Sequence, residues 1–253
     1  MQKRQGVYHY SPSDLTLYMS SSFASWMSRF VIEKPGGAPE KDDDDALMSL
    51  LQEMGYEHED ALEASLVNEG KSLVKINGDT PSEKFSATVV AMHSGVDVIV
   101  QGRLECAPFA GYSDFLIKVP GASKLGDFHY EVWDTKLAIT LKSSFVIQLC
   151  CYAEMLEEIQ GVRPEQITVG LGNGELSVLR TNDFFHYYLI LKQSFLNVQN
   201  TFNANEKPDP AESKSFGNWS SYAKKLLLER DHLSQVATIT SGQIKKLNAA
   251  GIA

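Results

Sequence analysis

The sequence predicts an α/β fold: a mixed central sheet, begun by a three-strand antiparallel meander, flanked by helices and followed by a helical C-terminal appendage. Three observations predict it. Residues 96–105, 111–119 and 130–138 form successive β-rich runs, "VDVIVQGRLE", "GYSDFLIKV" and "YEVWDTKLA". Segments with helical apolar spacing precede and follow them. A further pair of strands, "ITVGLGNGELSVLR" at 167–180, turns at Asn173-Gly174.

The elements follow in order. "SPSDLTLYM" opens a helix to about residue 29, with Ser13 or Asp14 as its cap. "EKPGGAPEKDDDD" is a loop broken by proline and glycine. Its four aspartates read as a solvated run whose last members favour the start of the next helix. Leu47, Leu50, Leu51 and Met54 give that helix its spacing; Gly55 is expected to interrupt it, and "EHEDALEASLVNEG" continues to about Gly70. Thr80, Pro81 and Glu83 are the cap, first position and closing residue of a capping box. After the three strands comes a helix with Phe145, Leu149, Tyr152 and Leu156 along one stripe. A long helix at about 183–203 is expected to turn Tyr187, Leu191, Phe195 and Val198 inward. "NEKPDPAESKS" then leads into helical pieces that end at "AAGIA", which reads as a boundary within a longer protein.

Composition bounds the function. A chain of 253 residues suits one large domain, or a domain with an appendage. No apolar run approaches the roughly 20 residues that span a bilayer, so no membrane partner is expected. The N-terminus has no apolar segment behind its basic residues, as a signal peptide would. Cys106, Cys150 and Cys151 lack disulfide or zinc spacing. The expectation is a reduced, cytoplasmic protein. The net charge of -9 argues against a broad nucleic-acid-coating surface. It leaves room for a confined basic patch, and cation-binding carboxylates themselves add negative charge.

The chemistry lies in the second and third strands. Side chains two apart on a strand share a face, so Asp134 and Lys136 point the same way, and a neighbouring strand can bring Asp114 opposite them. Two carboxylates in a sheet repel and are costly to bury. A divalent cation between them removes that cost, and a lysine beside it can stabilise charge on a phosphodiester or orient an attacking water. The plain alternative is a structural Asp–Lys ion pair. On the following helix, Gln148 and Tyr152 lie one turn apart on a mostly apolar surface, where both need partners.

These residues resemble the PD-(D/E)XK phosphodiesterases, and within them the RecB-type nuclease domains. The pattern of that family is a Gly-x-x-Asp strand, an (Asp/Glu)-x-Lys strand and a Gln-x-x-x-Tyr helix. Here the matching stretches are "GYSD", "DTK" and "QLCCY". The resemblance implies a restriction-endonuclease-like core and a RecB-like domain over 1–205. It also implies a helical C-terminal module over 206–253, with a fused or associated RNase H-like or helicase region. It implies a nuclease that uses Mg2+ or Mn2+ and acts on nucleic acid, with DNA expected. Asp114, Asp134 and Lys136 would be catalytic, Gln148 and Tyr152 would position substrate, and His58, Asp114 and Asp134 would hold metal. His58 shares a helical face with Leu62 and Leu66; Glu59 and Glu63 are substitutes of lower rank. Many domains of this type carry an iron–sulfur cluster. "SSSFASW" and "SKSFGNWSSYAKK" contain no cysteine where those ligands would stand, and a cluster usually needs four thiolates. No cluster is expected. The rival reading is a catalytically silent nucleic-acid-binding or scaffold module that keeps the nuclease fold.

Overall fold

The computed structural model describes residues 1–43, 46–213 and 215–251. The chain divides into two compact units, Met1–Thr16 with Asp44–Phe195, and Leu17–Asp43 with Leu196–Ala253. The division interleaves in sequence: residues 17–43 join the C-terminal segment.

The first unit is α/β. It opens with a short hairpin, β1 (Gln2–Arg4) and β2 (Val7–His9), whose turn residues Gln5 and Gly6 both have positive φ. Consecutive positive φ is what a tight primed hairpin turn requires. Its main sheet has six strands in the order β3 (Leu73–Lys75), β4 (Val98–Cys106), β5 (Phe109–Ser123), β6 (Gly126–Lys136), β7 (Gln166–Leu171) and β8 (Leu176–Arg180). The meander β4–β5–β6 is antiparallel, as are β7 and β8, while β3–β4 and β6–β7 pair in parallel. The sheet is therefore mixed.

Helices flank it. Helix α3 (Ala46–Asn68) covers one face, where Leu62 and Leu66 meet Val98, Val100, Phe115, Ile117 and Trp133. Helix α4 (Pro81–Ser94) packs on β4 and keeps the full capping box of Thr80 and Glu83. Helix α5 (Ser143–Gln160) crosses β4, β5, β6 and β7. Its last residue, Gln160, exchanges hydrogen bonds with the backbone N–H and C=O of Tyr130.

Four local expectations need correction. The opening helix is two helices, α1 (Pro12–Ser20) and α2 (Ser22–Glu33), because Ser21 leaves helical geometry and accepts from Ala24 N at 2.9 Å as a new N-cap. Gly55 does not interrupt α3, since a mid-helix glycine costs only about 1 kcal/mol and its neighbours are strong helix formers. Leu47, Leu50, Leu51 and Met54 on that helix are exposed; the stripe that reaches the sheet is Leu62 and Leu66. On α6 (Thr181–Asn200), Tyr187 and Val198 face outward, and the buried apolar positions are Phe185, Tyr188 and Phe195. "FFHYYLIL" is apolar all round, so periodicity alone could not choose the face.

The second unit is helical. Phe23, Ala24, Trp26 and Met27 of α2 pack with Trp219 and with Ala223 of α7 (Ser220–Glu229). Asp42 accepts from Ser220 N and Ser221 N, capping α7. Burial works against the charge, but hydrogen bonds from Ser221 and Ser220 hold the Asp42 carboxyl below the usual carboxylate range. Asp44 and Asp45, the end of the aspartate run, lie outside the described residues. The last helix is α8 (Ser241–Ala249). Among the described residues no helix is long and apolar enough to cross a membrane.

Candidate active site

Antiparallel pairing sets Phe115 opposite Trp133. That register brings Asp114 of β5 beside Asp134 of β6. Asp114 Oδ2 accepts from Thr135 N at 2.8 Å and from Thr135 Oγ1 at 3.0 Å. Thr135, the middle residue of "DTK", thus holds one carboxylate of the pair in place.

Asp134 is 1% exposed. Burial, then the Asp114 charge, pushes its carboxyl up to about 8, against the pull of Lys136. The Lys136 ammonium forms an ion pair with Asp134 Oδ2. The contact is electrostatic rather than a well-aimed hydrogen bond, and Lys136 is the cation that faces that buried oxygen. Lys136 remains 23% exposed along its side chain, so its charge stays wet while the acid is dry. A desolvated acid beside a second acid is what raises a carboxyl this far.

Helix α5 completes the far side. Tyr152 is buried, and its hydroxyl donates to Tyr112 O at 2.5 Å. Burial, and then the Asp134 and Asp114 charges, drive its phenol strongly upward, while a hydrogen bond with Gln148 opposes them. Gln148 and Tyr152 are therefore joined, and Tyr152 lies within the field of both acids. Gly111 explains the glycine of "GYSD": a Cβ there would stand 2.9 Å from Tyr152 Cε1 and 3.0 Å from Pro12 Cδ. The tyrosine ring occupies the space that a side chain at 111 would need.

His58 is placed differently. Its Nε2 lies 3.2 Å from the Gly170 carbonyl oxygen of β7, and no contact joins it to Asp114 or Asp134 among the described residues. The next residue, Glu59, is turned toward the acids. Burial raises its carboxyl, a hydrogen bond from Gln101 opposes this, and the Asp114 charge adds to the rise. Gln101 Nε2 donates to Glu59 Oε1 at 2.6 Å, from a backbone with φ 55°. Residue 101 falls between the pairs Val100–Phe115 and Gly102–Ser113, directly across β4 from Asp114. A non-glycine residue with positive φ stores strain, which tends to collect at functional sites. Glu59 stood in the sequence only as a substitute of lower rank for its neighbour His58, and Thr135 and Gln101 carried no motif signal.

Asp114 and Asp134 supply hard oxygen donors of the kind a magnesium-sized cation accepts, usually with waters filling the remaining positions. The buried Asp134 carboxyl, crowded by a second acid, fits that role. Among the described residues no three His, Cys, Asp or Glu side chains are grouped to hold a metal ion, so the expected convergence of His58 with the two aspartates is not assembled here. The cysteines stand apart from the acids as free thiols, and burial pushes Cys150 and Cys151 up to about 12. No protein-family model matches the chain, and no curated protein matches it.

Proposed function

We propose that this chain is a divalent-metal-dependent nuclease of the PD-(D/E)XK type, with a restriction-endonuclease-like core of the RecB kind, hydrolysing phosphodiester bonds in DNA. The observation that carries the reading is the buried Asp134 carboxyl crowded against Asp114, with the Lys136 ammonium paired to it. Structure alone gives a sheet no reason to bury that acid at such a cost.

In this reading Asp114 and Asp134 hold Mg2+ or Mn2+, which when bound supplies Lewis-acid stabilisation of phosphoryl charge and a more acidic water. Thr135 fixes the orientation of Asp114. Lys136 keeps a positive charge at the solvent-facing edge of the pair, where negative charge on a phosphodiester develops. Tyr152, fastened to Tyr112 O and joined to Gln148, presents a polar ridge toward the acids for positioning substrate. No iron–sulfur cluster forms part of the proposal. A longer protein carrying an RNase H-like or helicase region, working in the cytoplasm, would suit such a module.

The Asp134–Lys136 ion pair favours a second reading, a silent nucleic-acid-binding scaffold in which the pair is only structural. Lys136→Ala separates the two. A catalytic lysine predicts turnover lower by about 10²–10³, far beyond what any shift of the thermal melt explains. A structural lysine predicts a loss of several kcal/mol of stability, because its buried partner is left alone, together with a wild type that never cleaves.

A further inference from the structure

Helix α3 has two halves with different surroundings. Its C-terminal half lays Leu62 and Leu66 on the sheet. Its N-terminal half carries Leu47, Leu50, Leu51 and Met54, each between 41% and 60% exposed. Spacings of three and four residues put them on one face over about two turns. A single exposed leucine needs no explanation, but four large apolar side chains in a row form a contiguous stripe. Half-exposed, they leave on the order of 400 Å² of apolar surface, a size that in a monomer is often functional. Packing of the C-terminal half already holds the helix in place, so the stripe is presented without an ordering cost.

Charge decides what can cover it. The helix contains Glu53, Glu57, Glu59, Asp60 and Glu63 but no lysine or arginine. Glu59 is engaged by Gln101, and Glu63 by Lys75. Glu53, Glu57 and Asp60 are exposed and form no ion pair among the described residues. They stand four and then three residues apart, so they make one row, and that row borders the stripe one turn from Leu50 and Met54. A second α3 is a poor cover. Two copies face to face would set these acidic rows against each other, and like charges brought together in an interface are costly. An anionic surface is disfavoured for the same reason.

We propose that the N-terminal half of α3 is a docking surface for a basic amphipathic helix of a partner protein. The apolar face of that helix covers Leu47, Leu50, Leu51 and Met54, and its lysines or arginines meet Glu53, Glu57 and Asp60. Helices recognise one another through anchors at this three- and four-residue spacing, and the charged border sets which partners approach. The surface is independent of the nuclease reading. It offers about half of what each partner gives a standard interface, so the complex is weak and transient, with a micromolar Kd.

The test is fluorescence anisotropy of labelled synthetic peptides with the full chain. One probe is a leucine–lysine peptide with its leucines at helical spacing. A second has the same composition in scrambled order, and a third keeps the spacing but replaces lysine with glutamate. The first should bind with a micromolar Kd, and the other two roughly tenfold or more weakly. Leu51→Ser combined with Met54→Ser should weaken the first probe about tenfold. Glu53→Gln combined with Glu57→Gln should weaken it about threefold and flatten its salt dependence. Asp134→Asn should bind like the wild type, which separates docking on α3 from attraction to the acid pair. All four substituted side chains on α3 are exposed, so the thermal melts of those variants should match the wild type. Equal binding of the scrambled or acidic peptide, no binding of any probe, or stripe variants that bind like the wild type would overturn the proposal. A dimer in light scattering that Leu51→Ser with Met54→Ser dissociates would also overturn it, because a second copy would then be the cover.

Discussion

Asp134 carries a cost that the apo fold does not recover by itself. An unfolded chain gives its carboxyl the ordinary value of 3.8, whereas burial and the Asp114 charge push it up to about 8 in the folded protein. The folded state thus binds that proton more tightly. The stabilising contribution is fully present below about pH 4 and is lost as pH rises toward 8. Without metal, Asp134→Asn should therefore match or fall slightly below the wild type at pH 4. At pH 8 it should melt higher by an amount worth several kcal/mol. Thermal melts in EDTA across that range check it; parallel curves for the two proteins would show that the acid carries no such penalty. The acids and the lysine were legible in the sequence because "GYSD" and "DTK" each place a charge inside an apolar strand. His58 was less legible, for a physical reason. Helical spacing fixes which face a residue occupies, but not whether its ring finds a backbone carbonyl, here that of Gly170, before it finds an acid.

At the scale of elements, the site is a junction of β5, β6 and α5, and Gly111 is where strand and helix come closest. Gly111→Ala would drive a methyl group into the Tyr152 ring. Overpacking of this kind costs about 1–3 kcal/mol, and here it should also break the hydrogen bond from Tyr152 to Tyr112 O. Urea titration should show the stability loss, and metal-dependent turnover should fall further than that loss explains. A variant as stable and active as the wild type would mean that the helix does not need its present seat. The meander, α5 and the β7–β8 hairpin were legible because period-two runs, an amphipathic helix and Asn173-Gly174 each have one reading. Strands β1, β2 and β3 were not. Each is three residues long, too short for any period to emerge, although the consecutive Gln5-Gly6 was a turn signal. The exposed half of α3 and the face of α6 were misjudged because apolar residues fill more than one side of each.

Over the whole molecule, a mixed six-strand sheet with flanking helices forms one unit, and α2, α7 and α8 with their connections form the other. Interleaving of the units was beyond the sequence, because nothing in "LYMSSSFASWMSRF" says that Trp26 will pack with Trp219, far along the chain. The decisive measurement is digestion of labelled single- and double-stranded DNA and RNA by the purified chain with Mg2+, with Mn2+ and with EDTA, beside Asp134→Ala. The proposed nuclease predicts cleavage of DNA that requires metal and disappears in Asp134→Ala. Failure to cleave any of the four substrates with either metal, or cleavage that survives Asp134→Ala, would contradict it.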